Sequence, residues 1–207
     1  MARDICSICD RPKRVCLCPH VSKRVNLCEV GILQHPSEAC LIKGTAKIAQ
    51  LSLSNCSIWV GESLDKLPGL VDWLTDSKQV FLLYPEIEGQ TEAFTALSAE
   101  AVQAAYCVED IKVLVLDGTW RKTHKMMMLN KALRELNRIM IQPSSTSRYR
   151  IRRQKSPQSL STVEAIYEVL SDIEGHRLAQ AGSNPYDVLI ESFEAMQAQQ
   201  EAFRVRS

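Results

Sequence analysis

Short, almost uninterrupted aliphatic runs recur along this sequence, and they restrict its fold more than any other feature. Examples are VGILQ at residues 30–34, VFLLYP at residues 80–85 and IKVLVLDG at residues 111–118. A strand with apolar side chains on both faces must be covered on both faces. Stretches with helical spacing separate these runs, as at residues 42–53 and in a basic helix expected over residues 119–136. Residues 88–106 begin with turn signals and continue as an alanine-rich helix. The sequence therefore predicts an α/β fold, with a mostly parallel sheet and helices on both of its faces.

The apolar run at residues 111–116 is followed directly by an acid, a glycine, a hydroxyl residue and an aromatic residue. These are Asp117, Gly118, Thr119 and Trp120, and then comes a cationic stretch that begins at Arg121. In an open parallel sheet the ligand site lies beyond the carboxyl ends of the strands. We therefore expect a site here, in which Asp117 either takes part in chemistry or caps the next helix, and Trp120 either stacks on a ligand or packs in the core. Neither standard phosphate-binding loop, G-x-G-x-x-G or G-x4-G-K-[ST], is present.

A second candidate site element is the start of the helix LSTVEAIYEVL. Ser161 followed by Glu164 three residues later is a capping box, which predicts a helix start at this serine. The amino terminus of a helix favours an anionic ligand, because its free N–H groups and its dipole point toward it.

Charge is unevenly distributed along the chain, although the formal net charge is only +1. Residues 121–155 contain eleven lysine or arginine residues against one acid, Glu135, whereas residues 160–203 contain eight acids against Arg177. Such a local basic block is typical of proteins that bind polyanions, and its alternative is a solvated surface. We interpret it as a nucleic-acid-binding surface.

Four cysteines fall within thirteen residues near the amino terminus. They are Cys6, Cys9, Cys16 and Cys18, in the pattern C-x2-C-x6-C-x-C, and His20 follows as a possible substitute ligand. Thiolates clustered in this way suit the tetrahedral sulfur coordination of structural zinc. The alternatives are free thiols or a redox pair. We predict one structural Zn²⁺.

Length and hydropathy set the remaining expectations. A chain of 207 residues corresponds to one domain of ordinary size with a small appendage. No apolar stretch reaches the length of about 18 to 20 residues that spans a bilayer. The amino terminus lacks the apolar region that a secretory signal contains. The protein is therefore expected to be cytoplasmic.

Several motifs together resemble the DTW-domain family. They are the four-cysteine segment, QHPSE (34–38), LLYP (82–85), LDGTWRKTHKM (116–126), RYRIRRQ (148–154) and LSTVEA (160–165), in the family's order and over nearly the whole chain. The sequence is most similar to the bacterial tRNA-uridine aminocarboxypropyltransferases of the SPOUT-like superfamily. One departure is Lys47 and Ile48, where family members tend to have Arg and Leu.

The resemblance implies a fold and a reaction. It implies a SPOUT-like domain with a deep trefoil knot over residues 26–207, preceded by a zinc-binding knuckle over residues 1–25. S-adenosylmethionine would donate its 3-amino-3-carboxypropyl group to N3 of a tRNA uridine, with the variable-loop uridine as the expected target. A monomer and a homodimer both remain open.

The resemblance also implies roles for individual residues. Asp117 would be catalytic, either as the base for N3–H or as the group that orients the uridine. The cofactor-binding residues would be Leu83, Tyr84, Pro85, Leu116, Gly118, Thr119, Trp120, Leu160, Ser161, Thr162 and Glu164. The tRNA-binding residues would be Lys122, Lys125, Arg148, Arg150, Arg152, Arg153 and Lys155.

Two other functions fit the same residues. A methyltransferase could use the same donor and the same fold, because only the carbon presented to the acceptor differs. A non-catalytic RNA-binding protein could rely on zinc and arginines alone, but it would not require Asp117 at a strand end.

Overall fold

The computed structural model describes residues 4–84, 96–141, 147–148, 160–179 and 183–205. Among these residues, six strands form one sheet in which every pair of neighbours is parallel. The strand order is β2-β1-β5-β3-β6-β4. The strands are β1 (Glu29–Gln34), β2 (Cys56–Val60), β3 (Gln79–Leu83), β4 (Ala96–Leu97), β5 (Ile111–Asp117) and β6 (Asn137–Ile139). The predicted parallel α/β sheet is confirmed.

Helices connect these strands. They are α1 (Pro36–Ala39), α2 (Ala46–Ser52), α3 (Pro68–Thr75), α4 (Ala99–Ala105), α5 (Trp120–Leu129), α6 (Lys131–Glu135), α7 (Thr162–Leu170), α8 (His176–Leu178) and α9 (Asp187–Val205). A π-helical segment, Ser171–Gly175, joins α7 to α8, and short 3-10 turns lie at Lys13–Val15, Cys18–His20, Leu64–Lys66 and Val108–Asp110. No helix among the described residues has the length and the hydropathy to cross a membrane.

The sheet separates two apolar cores, as alternation along β5 shows. Val113 and Val115 pack with residues of α2, α4, α7 and α9 on one face. Leu114 and Leu116 pack with residues of α3, α5 and α6 on the other. Gly31 in β1 is needed on this second face, because a Cβ there would lie 2.7 Å from the ring of Trp73. All seven residues of β5 are buried, which explains its continuous aliphatic run.

Two elements differ from the sequence-based expectation. The basic helix expected over residues 119–136 breaks at Asn130, which adopts an extended conformation between α5 and α6. Its side chain accepts from Leu64 N at 2.8 Å and donates to Glu62 O at 2.8 Å, so tertiary hydrogen bonds replace helical ones. The short strand β4 was expected as a turn before a helix, but it pairs with β6 at the sheet edge.

A buried carboxylate fastens the carboxyl-terminal helices to the sheet. Glu174, in the π-helical segment, accepts hydrogen bonds from the backbone N–H groups of Leu27 and Cys28 at 2.8 and 3.1 Å. Its other oxygen accepts from the hydroxyl of Tyr186. Burial raises the pKa of Glu174, and the hydrogen bonds from Tyr186 and the backbone oppose that rise. The start of β1 is therefore held by a residue 146 positions away.

Replacing this carboxylate tests the attachment. Glu174→Ala leaves the N–H of Cys28 and the hydroxyl of Tyr186 without their acceptor in the interior, so we expect a loss of roughly 2 to 4 kcal/mol in the free energy of unfolding. Urea denaturation measures it. Glu191→Ala, which removes an exposed carboxylate from α9, serves as the matched control and should change stability by less than about 0.5 kcal/mol. Equal stability of the two variants would contradict the role given to Glu174.

Candidate active site at the carboxyl edge of the sheet

Sheet register brings a polar side chain to the carboxylate of Asp117. Gln34, the last residue of β1, is the direct partner of Asp117, the last residue of β5. The amide Nε2 of Gln34 donates to Asp117 Oδ2 at 2.7 Å, and the backbone N–H of His35 donates to Asp117 O at 2.9 Å. The side chain of Asp117 is thus directed to the edge where two neighbouring strands end.

The second carboxylate oxygen of Asp117 is also hydrogen-bonded. The hydroxyl of Thr162, the first residue of α7, donates to Asp117 Oδ1. Asp117 is 7% exposed, so these contacts hold a buried carboxylate in one orientation. The alternative interpretation of Asp117 as a helix cap does not fit, because the N-cap residue of α5 is Thr119. Asp117 therefore links β1, β5 and α7 at one point.

An aromatic pair follows the carboxyl ends of the neighbouring strands β3 and β5. The rings of Tyr84 and Trp120 stack with centroids 5.4 Å apart and an interplanar angle of 15°. Tyr84 is 4% exposed, whereas Trp120 is 49% exposed, so Trp120 is not a core residue. Burial raises the pKa of the Tyr84 hydroxyl, which is neutral at physiological pH. Trp120 therefore presents a flat aromatic surface to solvent, suited to stacking on a base.

The residues next to Asp117 are closely packed. A Cβ on Gly118 would lie 3.3 Å from side-chain atoms of Lys122 and Thr123 and 3.6 Å from His35, so a larger residue here would press on the first turn of α5. Thr119 makes no side-chain capping hydrogen bond. Leu116 is buried and Leu83 is half-buried at the ends of their strands. Pro85, predicted to line the same pocket, lies outside the described residues.

The predicted capping box at the start of α7 is confirmed. Glu164 accepts from the backbone N–H of Ser161 at 2.7 Å and from its hydroxyl at 2.6 Å. It also accepts from the hydroxyl of Ser147 and from the backbone N–H of Arg148, at 2.9 and 2.5 Å. A ligand carboxylate at this helix end would have to share donors with Glu164. Leu160 is half-buried, and it lines a small cavity with Arg148 and Glu164.

Three of the cations predicted to bind tRNA form ion pairs within the chain. Lys122 Nζ lies 2.7 Å from the buried carboxylate of Glu38, and Lys125 Nζ lies 2.7 Å from Glu62. Arg148 pairs with Glu194 of α9 at 3.2 Å. The other predicted members of this group, Arg150, Arg152, Arg153 and Lys155, lie outside the described residues. Their contact with tRNA stays a prediction.

An imidazole–carboxylate pair adjoins the site and carries no role in the sequence-based predictions. His35 Nε2 lies 2.6 Å from Glu62, and its Nδ1 accepts from the backbone N–H of Ser37 at 3.2 Å. An acceptor at Nδ1 places the proton of a neutral imidazole on Nε2, pointing at Glu62. Hydrogen bonding by Lys125 lowers the pKa of Glu62, with a smaller contribution from His35.

The contact between Gln34 and Asp117 was also missed. The signal was present, because a polar residue ends the aliphatic run of β1 as Asp117 ends that of β5. Which strands are neighbours cannot be deduced from those runs.

The four predicted metal ligands converge. The sulfurs of Cys6, Cys9, Cys16 and Cys18 all lie within 4.8 Å of one another, and this group does not include His20. The Cys6–Cys18 and Cys9–Cys16 sulfur pairs are 3.8 and 3.7 Å apart. Zn–S bonds of about 2.3 Å in a tetrahedron place the sulfurs about 3.8 Å apart. The group could therefore hold a metal ion.

The cysteine segment packs against the rest of the protein. Arg11 Nη2 donates to Gly44 O at 2.6 Å, and Leu17 is fully buried in the core that contains Ile32 of β1. Ser192 of α9 donates to His20 O at 2.7 Å. Residues 1–25, predicted to be a separate knuckle, therefore share a core with the sheet where the structure describes them; the predicted boundary itself stays a prediction.

Comparison with known proteins identifies related chains. The model of a family described as the DTW domain matches residues 3–201. No solved structure matches this chain.

Three relatives carry the name tRNA-uridine aminocarboxypropyltransferase 2. The protein of Macaca fascicularis is 28% identical over 189 residues, covering 86% of this chain and 59% of that protein. The protein of Drosophila melanogaster is 28% identical over 179 residues, 83% of this chain and 67% of that protein. The Mus musculus protein is 28% identical over 184 residues, again 86% of this chain and 59% of that protein. The chain thus spans about three fifths of two of these relatives.

Proposed function

Because this chain belongs to the DTW domain family, we propose that it is a tRNA-uridine aminocarboxypropyltransferase. It transfers the 3-amino-3-carboxypropyl group of S-adenosylmethionine to N3 of a uridine in tRNA. The observation that carries the proposal is the carboxylate of Asp117, in the D-x-T-W motif, held at the carboxyl edge between Gln34 and Thr162. The names of the relatives supply the reaction type.

The residues at this edge suit a nucleoside donor. The stacked pair of Tyr84 and Trp120 offers an aromatic surface, and Leu83 and Leu116 offer apolar contacts. A sulfonium donor carries its own leaving group, so the chain must align donor and acceptor and exclude water. The family resemblance also suggests a SPOUT-like domain with a trefoil knot, with which the parallel sheet is compatible.

Asp117 acts on the acceptor in this scheme. The N3–C bond forms as the C–S bond of the donor breaks, the bonding electron pair stays on sulfur as a neutral thioether, and the N3 proton moves to Asp117. Gln34 and Thr162 hold the carboxylate in one orientation toward the acceptor. A carboxylate in this position accepts the N3–H hydrogen bond before it accepts the proton.

Nucleoside mass analysis of tRNA tests the proposal. The purified protein is incubated with bulk tRNA and S-adenosylmethionine labelled in the aminocarboxypropyl carbons. A labelled uridine heavier by about 101 Da is expected, because that is roughly the mass of the transferred group. A gain of about 14 Da would instead identify a methyltransferase, and unchanged tRNA would identify a non-catalytic binding protein. Either result would overturn the proposal.

We also propose that Cys6, Cys9, Cys16 and Cys18 hold a structural zinc ion. The sulfur spacing supports this choice, since a redox pair would need only two thiols close together. Backbone N–H groups of Cys9 and Ile8 lower the pKa of Cys6 to about 6, so this thiol is largely a thiolate at neutral pH. Burial raises the pKa of Cys18 to about 12, so metal binding must release a proton there.

Metal analysis of the purified protein checks the zinc site. We expect about one zinc ion per chain, and Cys9→Ser should remove it and destabilise the protein, because Cys9 and Leu17 belong to the main core. Cys107→Ser, at an exposed thiol outside the cluster, is the matched control and should retain the metal. A metal-free wild-type protein with four titratable thiols in this segment would contradict the assignment.

A further inference from the structure

One side of α5 faces away from the core and carries basic side chains. Thr123, Met126 and Met127 are buried and face the interior of the protein. Arg121, His124, Lys125 and Met128 are exposed, and they follow the spacing of one helical face. We call these four residues the outer face of α5. It begins four residues after Asp117 and next to the half-exposed ring of Trp120.

The basic side chains of α5 divide into two kinds. Lys122 and Lys125 are paired with Glu38 and Glu62, so much of their charge is balanced inside the protein. Arg121 and His124 form no side-chain hydrogen bond or ion pair with any part of the chain that the structure describes. The chain has no acid between Asp117 and Glu135. Uncompensated positive charge therefore concentrates at Arg121 and its neighbourhood.

This surface suits a phosphate backbone. A guanidinium binds a phosphate through two parallel hydrogen bonds, and it keeps its charge at every accessible pH. The rise of an α-helix separates Arg121 from His124 by about 4.5 Å along the axis, within the reach of adjacent phosphates. A face with cations and no acid is complementary to a polyanion rather than to a typical protein surface.

We propose that the outer face of α5 is the surface on which the tRNA backbone docks beside the acceptor uridine, with Arg121 contacting a phosphate. This rests on the function proposed above, because it takes tRNA as the acceptor. A phosphate held at Arg121 places the flanking nucleotide near Trp120, whose free face can stack on a base. Asp117 precedes α5 by three residues, so it lies near the end of the helix at which Arg121 would hold the docked backbone.

Salt-dependent tRNA binding by three variants tests this surface. Arg121→Ala should weaken tRNA binding roughly tenfold at low salt, and it should reduce the slope of log affinity against log salt by about one unit. Arg121→Lys keeps the charge, so it should keep the slope. The matched control is Arg177→Ala, at an arginine 45% exposed that pairs with Glu109 near the amino end of β5, and it should leave affinity and slope unchanged.

The outcomes separate this proposal from the proposed function. If the wild-type protein modifies tRNA but Arg121→Ala binds it with unchanged affinity and slope, the outer face of α5 is not the docking surface. The same conclusion follows if Arg177→Ala reduces the slope as much as Arg121→Ala does. If the wild-type protein transfers nothing to tRNA, the proposed function fails and the docking surface with it. A KM for tRNA raised about tenfold by Arg121→Ala, with kcat nearly unchanged, supports docking.

Discussion

The hydrogen bonding of Asp117 is the constraint on which the geometry of the site depends. Its two carboxylate oxygens accept from side chains of two other elements, Gln34 of β1 and Thr162 of α7. The carboxyl end of the central strand is thereby fixed to its neighbour in the sheet and to a helix on one face. Any rotation of the Asp117 side chain would leave a buried donor without its acceptor, which costs about 1 to 3 kcal/mol.

Contacts connect this carboxylate to the cysteine segment at the other side of the core. Arg11, two residues after the buried Cys9, donates to the carbonyl of Gly44. Thr45, which follows, accepts a hydrogen bond from Val163 N, and Val163 follows Thr162. The start of α7 is thus held both by its own capping box and by the loop that the cysteine segment supports. A metal ion that orders this segment would stabilise the same loop.

Elements that depend on local sequence were predictable, and those that depend on long-range pairing were not. The aliphatic runs predicted the parallel strands, and the capping box at Ser161 predicted the start of α7. Each of these signals is contained in a few consecutive residues. The break at Asn130 arises from hydrogen bonds to Leu64 and Glu62, which are distant in sequence. The Asn130 amide also donates to Met126 O at 2.7 Å, a local contact at the end of α5.

The same distinction applies to the site. Asp117 and the four cysteines could be identified as candidate site residues from the sequence, because their residue types and positions indicate the chemistry that they can perform. The partners of Asp117 could not, because their contact requires β1 to be the neighbour of β5 and α7 to begin above both strands. Likewise, Lys122 and Lys125 resemble Arg121 in sequence. Only the positions of Glu38 and Glu62 distinguish the two paired lysines from Arg121, which has no ion-pair partner in the described part of the chain.

A double-mutant cycle between Asp117 and Thr162 tests the central hydrogen-bonding scheme most directly. In single-turnover transfer, Asp117→Asn should slow the reaction by about 10² to 10⁴-fold. Thr162→Val should slow it about tenfold in the wild-type background, Thr162→Ser should retain the rate, and Thr162→Val should add almost nothing to Asp117→Asn. An equal slowing by Thr162→Val in both backgrounds, or a near wild-type rate for Asp117→Asn, would contradict the scheme.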